Sequence, residues 1–158
     1  MKNIQLKNIN KLFKEVIMAS YPLGVNTKTT KPYKVMIVDD SSTIRIAERK
    51  ILLSEGFEVT IEADGAMSAL KQLKEAADKP DVLMIDFEMP QMNGVDLLKR
   101  IRALNYEGKV IVVTSYANKG VLSEFLKLKV DGYVVKPVQR QTIVQHLAKV
   151  LGREDYIK

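Results

Sequence analysis

Val82-Leu83-Met84-Ile85-Asp86-Phe87-Glu88-Met89-Pro90 is a short apolar run that stops abruptly on a carboxylate. Continuous apolar runs of this length mark strands of a parallel sheet buried on both faces, whereas half-exposed strands alternate. Met89-Pro90 ends the run, and Asn93-Gly94 opens the next element. A carboxylate at the C-terminal end of such a strand sits where open α/β sheets bind their ligands. Asp86 is therefore the first candidate for a functional group, a carboxylate nucleophile that accepts a phosphoryl group.

Outward from this run the pattern repeats. Val35–Val38 is an apolar strand followed by Asp39-Asp40-Ser41-Ser42, with a serine placed to cap a helix. That helix carries Ile44, Ala47, Ile51 and Leu52 on its inner stripe and ends at Gly56. Val59–Ile61 forms the second strand. Ala66, Ala69, Leu70 and Leu73 face inward from the next helix, and Val95, Leu98 and Ile101 from the one opening at Asn93. Val110–Val113 and Tyr133–Val135 complete five strands, with helices over 120–128 and 141–151. Alternation with short connections predicts an α/β fold, a flavodoxin-like (βα)5 doubly wound parallel sheet with strand order 2-1-3-4-5.

In that order the residues just past strands one, three, four and five share one crevice: Asp39 and Asp40, Asp86, Thr114 and Lys136. Three carboxylates in a small volume repel unless a cation neutralises them, and hard oxygen donors suit Mg²⁺. Lys136 offers a point positive charge to phosphoryl oxygens and Thr114 a hydroxyl donor. Each residue alone has an ordinary alternative: a turn-forming Asp, a solvated cap, a Lys-Pro turn, a β-branched strand residue. Four fitting chemical types at four strand ends favour the site over coincidence.

Composition narrows the rest. The chain has 158 residues, no cysteine and one histidine, His146, which excludes disulfides, thiolate metal sites and thiol catalysis and suits a cytoplasmic protein. No apolar run approaches a membrane span, so no integral membrane segment is expected. Of the net charge of +6, residues 1–32 supply +5 through six lysines and one glutamate. The remainder is nearly neutral, which argues against DNA as a partner. Three regions are expected: a basic N-terminal extension and linker over 1–32, a folded domain over 33–152 and a tail over 153–158. Leu6, Ile9, Leu12, Phe13, Val16 and Ile17 follow helical spacing in the extension. It reads as a leader, with Met18 a second candidate start, or as a helix for docking a partner, a membrane surface or another copy. Tyr21–Lys34, with Pro22, Gly24 and Pro32, reads as a linker, so a chain beginning near Thr30 is expected to keep the site intact.

The stretches VMIVDDSS at 35–42, LMIDFEMPQMNG at 83–94, VVTSYA at 112–117 and DGYVVKP at 131–137 resemble the receiver domain of two-component response regulators. The resemblance runs from about Tyr33 to Leu151. It implies that Asp86 is the phosphoacceptor for a histidine kinase. It also implies that Asp40, Asp86 and the Glu88 backbone carbonyl bind Mg²⁺ while Asp39 acts through water. Thr114 and Tyr133 would be the switch pair, Lys136 the phosphate-binding lysine, and Lys136-Pro137 a cis bond. Gly152–Lys158 is too short for an effector domain, so the resemblance is to stand-alone CheY-type chemotaxis regulators, including those of spirochaetes. Their partners would be a chemotaxis-type histidine kinase, the flagellar motor switch protein and a dedicated phosphatase. The switching face would be the fourth helix, fifth strand and fifth helix of the receiver. Glu88 stands where many chemotaxis members carry Asn, and with Tyr116 it is expected to tune dephosphorylation. The alternatives are a phosphorelay intermediate serving a histidine phosphotransfer protein, and a metal-dependent hydrolase. Haloacid-dehalogenase-like hydrolases want a second Asp two residues after the nucleophile, where this chain has Glu88.

Overall fold

The computed structural model describes residues 2–157. Met1 and Lys158, and the side chains of Lys2 and Asn3, fall in the extension and tail and lie outside the described part. The elements are α1 (Lys2–Ser20), β1 (Lys34–Val38), α2 (Ser42–Ser54), β2 (Glu58–Ala63), α3 (Ala66–Glu75), β3 (Val82–Ile85), α4 (Gly94–Ala103), β4 (Lys109–Thr114), α5 (Lys119–Lys127), β5 (Gly132–Val135) and α6 (Arg140–Val150), with a short 3-10 turn at Glu154–Tyr156. Since α1 precedes the receiver, the fourth and fifth receiver helices of the sequence reading are α5 and α6.

The five strands are parallel in the order β2-β1-β3-β4-β5. Alternate strand residues feed two cores. Met36, Val38, Leu83, Ile85, Val110 and Val112 pack with Leu70 of α3, Leu98 of α4 and Phe125 of α5. Val35, Ile37, Val82, Met84, Ile111 and Val113 pack with Leu52 of α2 and Ile143 and Leu147 of α6. Helices on both faces explain why the strands read as unbroken apolar runs. The register pairs Val38 with Ile85, Ile85 with Val112 and Thr114 with Val135, so four strands end at one rim.

The inner stripe of α2 departs from expectation. Ile44, Ala47 and Ile51 are only half-buried, and the residues fully enclosed are Glu48 and Leu52. The segment after α1 departs too, and its reading as a linker is corrected. Leu23 is 0% exposed and belongs to the α2/α6 core. Gly24 N–H donates to the Glu55 carbonyl (2.8 Å), and its own carbonyl accepts from Tyr33 N–H (2.7 Å). A Cβ on Gly24 would overlap the Phe57 amide nitrogen, so only glycine lets the backbone pass this close. From the tail, buried Arg153 donates to the carbonyls of Met18 (2.7 Å) and Tyr21 (3.4 Å). The Tyr156 hydroxyl donates to the Glu55 carboxylate (2.9 Å), which also pairs with Arg140. Residues 21–33 and the tail are thus packed against the base of the sheet, at the N-terminal ends of the strands.

Candidate functional site

Asp39 directly follows β1. Its amide donates to Ala63 O of neighbouring β2 (3.1 Å), which keeps it in the sheet and leaves it 2% exposed. Its Oδ1 accepts from Ser41 N–H (2.8 Å), and Ser41 caps α2. Asp40 is exposed at the rim. Asp86 follows β3, with its amide on Val38 O (2.9 Å), and is 5% exposed. Gly94 opens α4 against the Asp86 carbonyl, where a Cβ would collide, and its amide donates to Phe87 O (2.8 Å). Asn93 caps α4 through Asp96 N–H.

Lys136 follows β5. Its amide donates to Thr114 O (2.9 Å), and the Lys136-Pro137 bond is cis. Its ammonium enters the crevice from the edge, 2.6 Å from Asp39 Oδ2 and 3.2 Å from Asp86 Oδ2. Burial works against the Lys136 cation, but the hydrogen bond with Asp39 and the charges of Asp86 and Asp39 outweigh it and raise its pKa. Burial also raises the pKa of Asp39, more than Lys136 and the Ser41 amide lower it.

Carboxylate oxygens of Asp39, Asp40 and Asp86 lie within 4.8 Å of one another. The donor set is all hard oxygen, two members buried and one open to solvent, which fits a cation such as Mg²⁺ that keeps part of its water shell.

Thr114, the last residue of β4, is fully buried, and its Oγ1 accepts from Tyr116 N–H (3.2 Å). Among the described residues its hydroxyl makes no hydrogen bond to Asp86. Tyr133 lies half-buried in β5, packed edge-on to Phe125 (6.1 Å between centroids), and its hydroxyl donates to the Tyr116 carbonyl. Tyr116 itself lies 5.3 Å from Phe87. Phe87 also meets Phe125 at 6.1 Å, so aromatic contacts run from the residue after Asp86 to Tyr133. Glu88 is exposed, and its amide approaches Asp86 Oδ1 (3.4 Å).

Sequence reasoning missed Glu48. Its side chain is buried beneath the carboxylates, and Oε2 has no hydrogen-bond partner in the protein. Burial, with the charge of Asp39 next, pushes its pKa up to about 8. The available signal was spacing: Ile44, Glu48 and Leu52 stand at i, i+4 and i+8, one stripe of the helix. Phe87 was likewise not singled out.

Residues 35–148 match the response regulator receiver domain family. The chain is 39% identical over 124 residues to the chemotaxis protein CheY1 of Helicobacter pylori, covering 77% of this chain and 99% of that protein. It is 34% identical over 117 residues to the chemotaxis protein CheY of Thermotoga maritima, covering 74% and 96%. Among solved structures, a CheY of Borrelia burgdorferi in complex with CheX, BeF3 and Mg²⁺ superposes with a TM-score of 0.79 at 28% identity, covering 83% of this chain and 98% of that one. No described helix is long and apolar enough to cross a membrane. With three carboxylates and a lysine gathered at the strand ends, and this likeness over nearly the whole length of its relatives, the chain belongs to the response regulator receiver domain family and is of the CheY type.

Proposed function

We propose that the chain is a phosphorylation-controlled regulator in which Asp86 accepts a phosphoryl group from a chemotaxis-type histidine kinase. The observation that carries this reading is the Lys136 ammonium lying between Asp39 and Asp86, beside a third carboxylate. An Asp86 carboxylate oxygen forms the new O–P bond as the P–N bond of a phosphohistidine breaks, and the imidazole leaves with the electron pair. Asp39, Asp40, Asp86 and the Glu88 backbone carbonyl would hold Mg²⁺, which when bound supplies positive charge to the phosphoryl oxygens. Lys136 leaves Asp86 for a phosphoryl oxygen, and the Thr114 hydroxyl turns from the Tyr116 amide to donate to another.

The signal then passes to the surface. Withdrawal of Thr114 and its loop moves the Tyr116 carbonyl that holds the Tyr133 hydroxyl. The Tyr133 ring repacks on Phe125, and the face of α5, β5 and α6 changes shape. A partner preferring the new shape must by linkage favour phosphorylation. The chemotaxis names of the relatives support the flagellar motor switch protein as that partner. The chain does no turnover chemistry on a diffusible substrate beyond its own phosphorylation and slow dephosphorylation.

The test is phosphotransfer from the host's histidine kinases to wild type and Asp86→Asn. Transfer to wild type and none to the folded amide variant is expected, and equal labelling of both would overturn the assignment. Capture of the motor switch protein only in the presence of beryllofluoride is the expected partner result. Capture of a histidine phosphotransfer protein instead would favour a relay.

A further inference from the structure

We propose that α1 with the loop behind it is a docking element for an anionic lipid bilayer, holding the receiver at a membrane surface by its base. The helix presents Leu6, Ile9, Leu12, Phe13, Val16 and Ile17, each 45–68% exposed, although all follow the spacing of an apolar stripe. None is covered by the receiver. Together they leave roughly 600 Å² of apolar side chain open, at the top of what a monomeric protein ordinarily exposes.

The helix has little support of its own. It has no acidic residue in its first turn and no basic residue in its last, so nothing offsets the helix dipole at either end. Most of the stability of a protein helix comes from packing of its amphipathic face, so α1 gains most of its own from whatever covers its stripe.

Charge identifies the cover. Lys7, Lys11 and Lys14 recur at three- and four-residue steps away from the stripe, and Lys28 and Lys31 follow in the loop. Residues 1–32 carry +5 of the chain's +6. A second copy would bring another +5 against it, with Glu15 the one acidic residue of α1 to answer the lysines. An apolar face backed by lysines instead matches helices that lie in the boundary of anionic bilayers. The attachment fits this role. Arg153 holds the end of α1 through Met18 O and Tyr21 O at the base of the sheet, so the carboxylate crevice at the opposite rim faces away and stays open.

The test is co-sedimentation of the full chain with vesicles of phosphatidylglycerol and phosphatidylcholine, against vesicles of phosphatidylcholine alone. At least tenfold tighter association with the anionic vesicles is expected, falling at least tenfold in Ile9→Asn/Phe13→Asn and falling with added salt in wild type. The two substituted side chains are exposed, so the unfolding midpoint of the variant should match wild type. Failure of wild type to sediment with anionic vesicles overturns the proposal, as does undiminished sedimentation of the double variant. A wild-type dimer in solution that the same substitutions dissociate, without vesicle binding, would assign the stripe to a second copy instead.

Discussion

The Lys136 ammonium is held more closely by Asp39, at 2.6 Å, than by Asp86, at 3.2 Å. In this state the lysine acts as the counter-ion of the acidic crevice, and the metal reading gives it a competitor. Lys136→Met should leave the carboxylates uncompensated and destabilise the metal-free protein by about 3–5 kcal/mol. Mg²⁺ replaces the lost charge, so it should raise the thermal midpoint of the variant more than that of wild type. Thermal unfolding with EDTA and with Mg²⁺ measures both; an equal rise in the two proteins would mean that lysine and metal do not share the same carboxylates.

Glu48 should make stability depend on pH. Its carboxyl is pushed up to about 8 in the folded protein from an ordinary 4.5. Between those values the folded state holds a proton that the unfolded chain has released. Stability from this group is therefore full below about 4.5 and declines as pH rises toward 8. The effect is on the order of 4 kcal/mol. Glu48→Gln has no proton to lose, so its advantage over wild type should grow from pH 5 to pH 8. Urea unfolding at both pH values, with EDTA present, reads this directly, and a constant difference between the two proteins would place the carboxyl in contact with water.

Glu88 and Tyr116 are expected to flank the approach to Asp86. Glu88 is exposed beside it, and Tyr116 stacks on the ring of the residue between them. Glu88→Asn and Tyr116→Ala should each change the autodephosphorylation rate about threefold or more, roughly 0.65 kcal/mol in the barrier. Single-turnover decay of the phosphorylated protein, without any partner, is the measurement. Decay constants matching wild type in both variants would remove these residues from the water path.

The two halves of the N-terminal segment should differ sharply in their effect on stability. A chain beginning at Met18 keeps Leu23 and the carbonyls that Arg153 binds, and should unfold at the same urea concentration as the full chain. A chain beginning at Thr30 empties the Leu23 site and should lose about 2–5 kcal/mol. Equal midpoints for all three chains would show that Leu23 contributes nothing to the core.

The sheet, its order and the crevice were legible in the sequence because they rest on local rules. Unbroken apolar runs specify strands covered on both faces, short alternating connections specify parallel neighbours, and a strand's last residue must stand at the rim. Asp39, Asp86, Thr114 and Lys136 therefore fell into one place before any contact was known. Tertiary structure alone decided the rest. Glu48 looks like a solvent residue, since a carboxylate ordinarily costs too much to bury; it lies inside because it shares with Leu52 the face of α2 that packs inward. Tyr21–Lys34 has the prolines and glycine of a linker, yet Leu23, the bare backbone of Gly24, and Arg153 and Tyr156 from the other end of the chain lock it to Glu55 and Phe57. Composition reports what a segment can do alone. Burial depends on partners more than a hundred residues away, which no local pattern carries.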